Sequence, residues 1–134
     1  MDGCTGLTSI PEGLFKNNVN VTTFGGVFNG CSGLTSIPEG LFKNNVNVTT
    51  FGSVFMGCDA LTSIPEGLFK NNVNVIRFTG LFEGCIRMQN IPEDIIELGK
   101  KVKEKGGDVR GMFRGCTSAS NYNSIPNYLK YDVS

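Results

Sequence analysis

The 134-residue chain contains no His and no Trp. Without His, a Ser or Cys nucleophile would have to find its base among carboxylates or lysines, and the commonest metal ligand is missing. Twelve Lys and Arg balance twelve Asp and Glu, so the net charge is zero. A neutral chain offers no electrostatic case for binding nucleic acid or an anionic membrane surface. No apolar run approaches the roughly 18 residues of a spanning helix, which predicts no membrane insertion. Met1-Asp2-Gly3-Cys4 lacks the charged and apolar regions of a signal peptide.

What is present is repetition. LTSIPEGLFKNNVNV occurs three times, from Leu7, Leu34 and Leu61. Cys4, Cys31, Cys58 and Cys85 are each 27 apart, and Cys116 follows after 31. The spacing defines repeats 4–30, 31–57, 58–84, 85–115 and a degenerate 116–134, within a single domain 1–134. Repeats one and two differ at three of 27 positions, and repeats two and three at eight. All ten Phe fall in three columns (15/42/69, 24/51/78 and 28/55/82/113), and all five Pro fall in one. A unit of this size cannot bury its own apolar side, so identical apolar columns mean that units stack and share a core.

The pattern predicts an α/β repeat: a solenoid of four to five 27-residue coils with short strands, short helical turns and a C-terminal cap. In the first unit Leu7–Ile10 reads as a strand. Pro11 suits the first turn of a helix, in which Glu12 and Lys16 stand i,i+4, and Asn17-Asn18 ends it. Val21–Phe24 reads as a second strand, and 25–30 as a helical or 3-10 turn. Leu7, Ile10, Leu14, Phe15, Val19, Val21, Phe24 and Phe28 are the expected core. Paired strands would set neighbouring coils about 4.7–4.9 Å apart.

L-T-S-I-P-E-G-L-F followed by V-x-x-F-x-x-x-F-x-G-C resembles the leucine-rich repeats of the BspA-like bacterial surface class. That class repeats a short L-x-x-I strand and an A-F-x-x-C-type helical turn. The likeness covers repeats one to three fully and the remainder loosely. This unit is longer than the commonest one of the class, and Phe replaces several aliphatic positions. The resemblance implies a cell-surface or secreted adhesion module that binds a host or matrix protein, or a glycan. The alternative is a structural spacer or virion-associated repeat with no ligand of its own.

The fourth repeat carries four extra residues after Ile91-Pro92. They predict one added helical turn, with Ile95, Leu98 and Val102 on one face. Early acids and late lysines match the helix dipole, and Gly106-Gly107 stop the helix. Lys100, Lys101, Lys103 and Lys105 could form a basic patch, but such runs usually serve solvation. The degenerate fifth repeat reads as a cap. Met1–Cys4 aligns with Phe28–Cys31, so the chain starts inside a repeat. An uncapped N-terminal core implies either a fragment of a longer array or an open end that pairs with another molecule, for which an end-to-end homodimer is the expectation.

The cysteine column admits three readings. Stacked units bring Cα atoms to about 5 Å, within reach of a disulfide. A metal site lacks any close-spaced pair and any His. A ladder of buried thiols acting as small apolar groups fits the core-like surroundings best. No catalytic or cofactor-binding residue emerges. The repeated Glu column offers identical environments, whereas acid–base work needs two carboxylates with different pKa values. Asn20-Val-Thr22 and Asn47-Val-Thr49 match the glycosylation sequon, which Ile76 breaks in the third repeat. Gly25-Gly26 lacks the residues of a phosphate loop.

Stacking does not explain why the polar positions repeat. Either the copies are recent duplicates, or the columns are used. The candidate interaction columns are Thr8/Thr35/Thr62, Lys16/Lys43/Lys70 and Glu12/Glu39/Glu66.

Overall fold

A computed structural model describes residues 3–132. Successive repeats stack, and the three Phe columns become three ladders of rings. Phe28, Phe55, Phe82 and Phe113 lie nearly parallel, with centroids 5.6, 5.4 and 6.1 Å apart. The 15/42/69 ladder steps by 6.0 and 5.6 Å, and the 24/51/78 ladder by 6.0 and 5.9 Å. Edge contacts such as Phe42–Phe51 at 4.7 Å lock the last two ladders together.

The predicted strands are almost absent. Among the described residues, Thr23, Thr50, Arg77 and Asp108 form isolated parallel bridges, one residue wide, and no β-strand is present. Leu7–Ile10 forms no bridge; Thr35 N–H donates to the Thr8 carbonyl at 3.1 Å as a single tie. The reason lies in the turn after the bridge, which takes over the inter-repeat bonding. The N–H groups of Phe24, Gly26, Phe28 and Gly30 donate to the carbonyls of Thr50, Gly52, Val54 and Met56 at 2.7–3.0 Å. Val27 and Asn29, between them, donate back three residues within their own repeat. This alternation needs a left-handed residue at one position, and Gly26, Ser53, Gly80 and Gly111 take φ of 59–70° there.

The helix predicted over Pro11–Lys16 is also corrected. That stretch is a chain of turns, with Leu14 N–H bonded to Pro11 and Lys16 N–H to Gly13. Gly13, at φ 81°, and Gly67, at φ 72°, leave the helical region and break propagation in their repeats. The second repeat makes the same turns, Leu41 N–H to Pro38 and Lys43 N–H to Gly40, with Gly40 outside the left-handed region. No Glu12–Lys16 ion pair forms. In the fourth repeat Asp94 occupies this glycine column, and helix α1 (Glu93–Glu104) forms. It starts after Pro92, carries Glu93 and Asp94 in its first turn, and has Lys101 and Lys103 in its last. Its buried face is Ile95, Ile96, Gly99 and Val102; Leu98, expected there, sits half-buried on the flank. A side chain at Gly99 would meet Leu129 and Met112 at 3.0 Å, so α1 lies hard against the core.

Residues beyond Cys116 cover the last repeat with two single-turn 3-10 helices, Tyr122–Ser124 and Asn127–Leu129. Leu129 is fully buried, and its carbonyl accepts from Phe113 N–H at 2.8 Å. Lys130 is buried too; its Nζ donates to the Tyr122 carbonyl and stands 4.9 Å over the Tyr122 ring. At the opposite end Leu7, Leu14, Phe15 and Val21 are only partly buried, whereas Leu34, Leu41, Phe42 and Val48 are 0–2% exposed.

Candidate functional site

The block KNNVNV turns out to be mostly structural. Asn45 and Asn72, 0% and 2% exposed, each bond two carbonyls of the preceding repeat. Asn45 Nδ2 reaches Phe15 and Asn18, both at 3.0 Å, and Asn72 Nδ2 reaches Phe42 and Asn45 at 3.1 and 3.0 Å. The neighbouring columns act likewise: Asn47 bonds Val19, Asn74 bonds Val46, and Asn71 bonds Lys43 through their carbonyls. These ladders satisfy backbone acceptors that stacking would otherwise bury unpaired.

Val19, expected in the core, is the counterpart of this finding. Val19, Val46 and Val73 are 45%, 42% and 69% exposed. A strand would place Val19 and Val21 on one face. The chain here turns instead, with Asn18 N–H bonded to Phe15 and Val21 N–H bonded to Asn18. In the second and third repeats the same turn carries Asn45 and Asn72 inward, and Val19, Val46 and Val73 point outward. Nothing in the residue types announces this inversion.

The predicted interaction columns divide. Thr8 and Thr35 are exposed and Thr62 half-buried. Thr35 Oγ1 donates to the Thr8 carbonyl at 3.1 Å, so this column ties repeats together. Glu12, Glu39, Glu66, Lys16, Lys43 and Lys70 are all exposed. Glu12, Glu39, Lys43 and Lys70 line one shallow depression of about 310 Å³ with Gly40, Gly67, Leu68 and Asn71. The structure does not bring the Thr column to it.

A second depression was not foreseen from the sequence. It holds about 400 Å³ between the third repeat and α1. Phe69, Val73, Val75, Ile95, Leu98 and Val102 line it with apolar surface. Lys70 stands on the repeat side, and Lys101 and Lys105 stand on the helix. Its two acids are engaged: Asp94 accepts from Gly67 N–H at 2.8 Å, and Glu97 pairs with Lys100 at 3.1 Å. Lys70 lines both depressions, so it stands between Val73 and the depression that holds Glu12 and Glu39.

The remaining polar chemistry is structural. Cys31, Cys58, Cys85 and Cys116 are fully buried, and no disulfide joins them. The thiols of Cys58, Cys85 and Cys116 donate to the carbonyls of Phe28, Phe55 and Phe82 at 3.2–3.4 Å. Burial pushes Cys58 and Cys116 up to about 12, and Cys85 higher, which leaves them protonated and unreactive. Arg110 grips Asp108 through two side-chain bonds of 3.1 and 2.9 Å and holds its carboxyl down at about 2. Among the described residues no cluster of three or more His, Cys, Asp or Glu could hold a metal, and no helix is long and apolar enough to cross a membrane.

No family model matches the sequence, and no curated protein matches it. Among solved structures, a leucine-rich repeat protein of T. pallidum (TpLRR) aligns at 17% identity over 93% of this chain and 78% of that one, with a TM-score of 0.27. A leucine-rich repeat protein from Bacteroides ovatus aligns at 21% identity over 63% of this chain and 34% of that one, with a TM-score of 0.20. Both neighbours are bacterial leucine-rich repeat proteins. Superpositions this loose carry no weight for function, and the stacking described above rests on bonds between residues about 27 apart.

Proposed function

We propose that the chain is a leucine-rich-repeat solenoid of the BspA-like kind, with four to five coils, that binds a protein partner and catalyses nothing. One observation carries this reading. Once the asparagine and threonine ladders are assigned to stacking, the Ser9/Ser36/Ser63, Glu, Lys and Val columns remain exposed and repeated without a bonding partner. Of these, Glu12, Glu39, Lys43 and Lys70 share one depression, while Lys70 and Val73 share the next. Three equal groups at one step form a surface suited to a partner that is itself periodic. The resemblance of the repeat motif extends the reading to a bacterial cell-surface or secreted protein that adheres to host or matrix protein, or to glycan.

The asparagine ladders favour a second reading. They account for much of the polar identity between repeats without any ligand, as a spacer would require. Binding of the purified chain to immobilised matrix proteins, mucins and glycans separates the two. The adhesion reading expects saturable binding that is lost when Lys16, Lys43 and Lys70 are all changed to Glu. Binding no greater than that of a heat-unfolded sample favours the spacer.

A further inference from the structure

The exposed valines and the groove beside α1 form one continuous feature, because Val73 belongs to both. We propose that this feature docks an acidic amphipathic α-helix, laid lengthwise along Val19, Val46 and Val73 with one end in the groove against α1. The proposal rests on the protein-binding reading above and names the partner's chemistry.

Spacing selects a helix. The rings of Phe15, Phe42 and Phe69, four residues from the valines, step by 6.0 and then 5.6 Å from one repeat to the next. An α-helix advances about 5.4 Å per turn, so a ridge at i, i+4, i+7 and i+11 sets one side chain against each repeat. An extended strand places same-face side chains about 6.8 Å apart and slips out of register sooner. Charge selects the flanks. Lys16, Lys43 and Lys70 run beside the valines, and Lys101 and Lys105 face Lys70 across the groove. None of these five lysines has an ion pair among the described residues, while Asp94 and Glu97 are already engaged. A helix with an apolar ridge and flanking glutamates meets Lys16, Lys43 and Lys70 along one side, and Lys101 and Lys105 where its end enters the groove. The pairing accelerates encounter and sets orientation; the valines and the groove floor supply the apolar contact.

The test uses a labelled, end-capped peptide of Leu, Glu and Ala, about 16 residues or roughly 24 Å of helix, with leucines on the ridge and glutamates flanking it. Fluorescence anisotropy compares it with a scrambled peptide of the same composition and with a version carrying Lys for Glu. The expected result is saturable binding of the first peptide and at least tenfold weaker binding of both controls. Val46→Asp and Val73→Asp are expected to weaken it tenfold or more with an unchanged thermal midpoint, since both side chains are exposed. Equal binding of the scrambled peptide, or unaffected binding by the valine variants, overturns the proposal. So does a self-association that Val46→Asp abolishes, because a second copy would then be the occupant. Running both valine variants on the matrix array separates two failures. Array binding that survives them, with no peptide binding, rejects the helix and leaves the adhesion reading standing. Loss of all array binding by wild type rejects the adhesion reading.

Discussion

At the scale of single residues, the polar identity of the repeats is largely backbone chemistry. Asn45 supplies two N–H groups to carbonyls of the preceding repeat from a fully buried position. Asn45→Asp removes both donors and sets a carboxylate among carbonyls. It is expected to cost about 3 kcal/mol or more, as an uncompensated buried charge does. Asn47→Asp, at the rim with one bond to the Val19 carbonyl, should cost about 1 kcal/mol. Urea titrations of the pair measure the difference, and equal midpoints would remove the ladder as its cause. Ser53 makes the opposite case. It holds φ 59° where Gly26, Gly80 and Gly111 stand in the other repeats. Ser53→Gly releases a left-handed strain of about 1 kcal/mol and should raise the urea midpoint, with the greater freedom of the unfolded glycine trimming the gain. The thiols add a pH dependence. Unfolded cysteines ionise near 9, whereas folded Cys58 and Cys116 hold their protons to about 12. A raised folded pKa gives stability that is complete below pH 9 and lost as pH rises toward 12. Thermal midpoints should therefore fall across that window, and a Cys58→Ala, Cys116→Ala variant should fall less steeply.

At the scale of elements, the residue two after the proline is one contributor to whether a repeat makes a helix. Gly13 and Gly67 stop the turn after proline, and Asp94 in the same column lets α1 run twelve residues. Asp94→Gly introduces glycine into the first turn, removes an acid from the helix N-terminus and breaks the bond to Gly67 N–H. Together these should cost about 1–2 kcal/mol and lower the helical circular dichroism signal. An unchanged spectrum would mean that burial of Ile95, Ile96 and Val102 alone holds the helix. A helix after Pro92 was legible in the dipole-matched charges and the closing glycines, but its contrast with the other repeats was not: one added turn was expected, and twelve residues form where the others have only turns. Its buried face was read one position off, because Leu98 fits the apolar period while Gly99 is what lets Leu129 and Met112 close in. The strands were misread for a related reason. Val21–Phe24 has the composition of a strand and makes one bridge and the bond from Thr49 N–H to Thr22, but the glycine-dependent turn that follows carries most of the inter-repeat bonds. The Phe columns, by contrast, needed no local conformation to be read: identical large apolar side chains at one period must stack. The surface proposed for binding was only half legible. The lysine and glutamate columns are exposed, yet Val19 was assigned to the core, since residue type gave no sign of the turn at Asn18.

At the scale of the whole molecule, the two ends differ in how much core they cover, and stability should follow that gradient. The same ladder passes from partly buried Phe15 to fully buried Phe42 and to Phe69 at 2% exposed. A buried Phe→Ala costs about 3–5 kcal/mol through lost transfer energy and the cavity left behind. Phe42→Ala should reach that range, and Phe15→Ala, already partly wetted, should fall clearly below it. Each repeat interacts only with its neighbours, so a weak first repeat can open while the others stay folded. Native-state hydrogen exchange should therefore show the amides of Phe24 and Phe28 exchanging before those of Phe78 and Phe82, although all four make equivalent inter-repeat bonds. The expected end-to-end pairing makes a competing forecast. A second copy over Leu7, Leu14, Phe15 and Val21 would bury these side chains, raise the cost of Phe15→Ala toward that of Phe42→Ala, and make the thermal midpoint climb with protein concentration. Concentration-independent midpoints together with a shallow Phe15→Ala penalty would exclude that pairing and leave the first repeat as the place where unfolding begins.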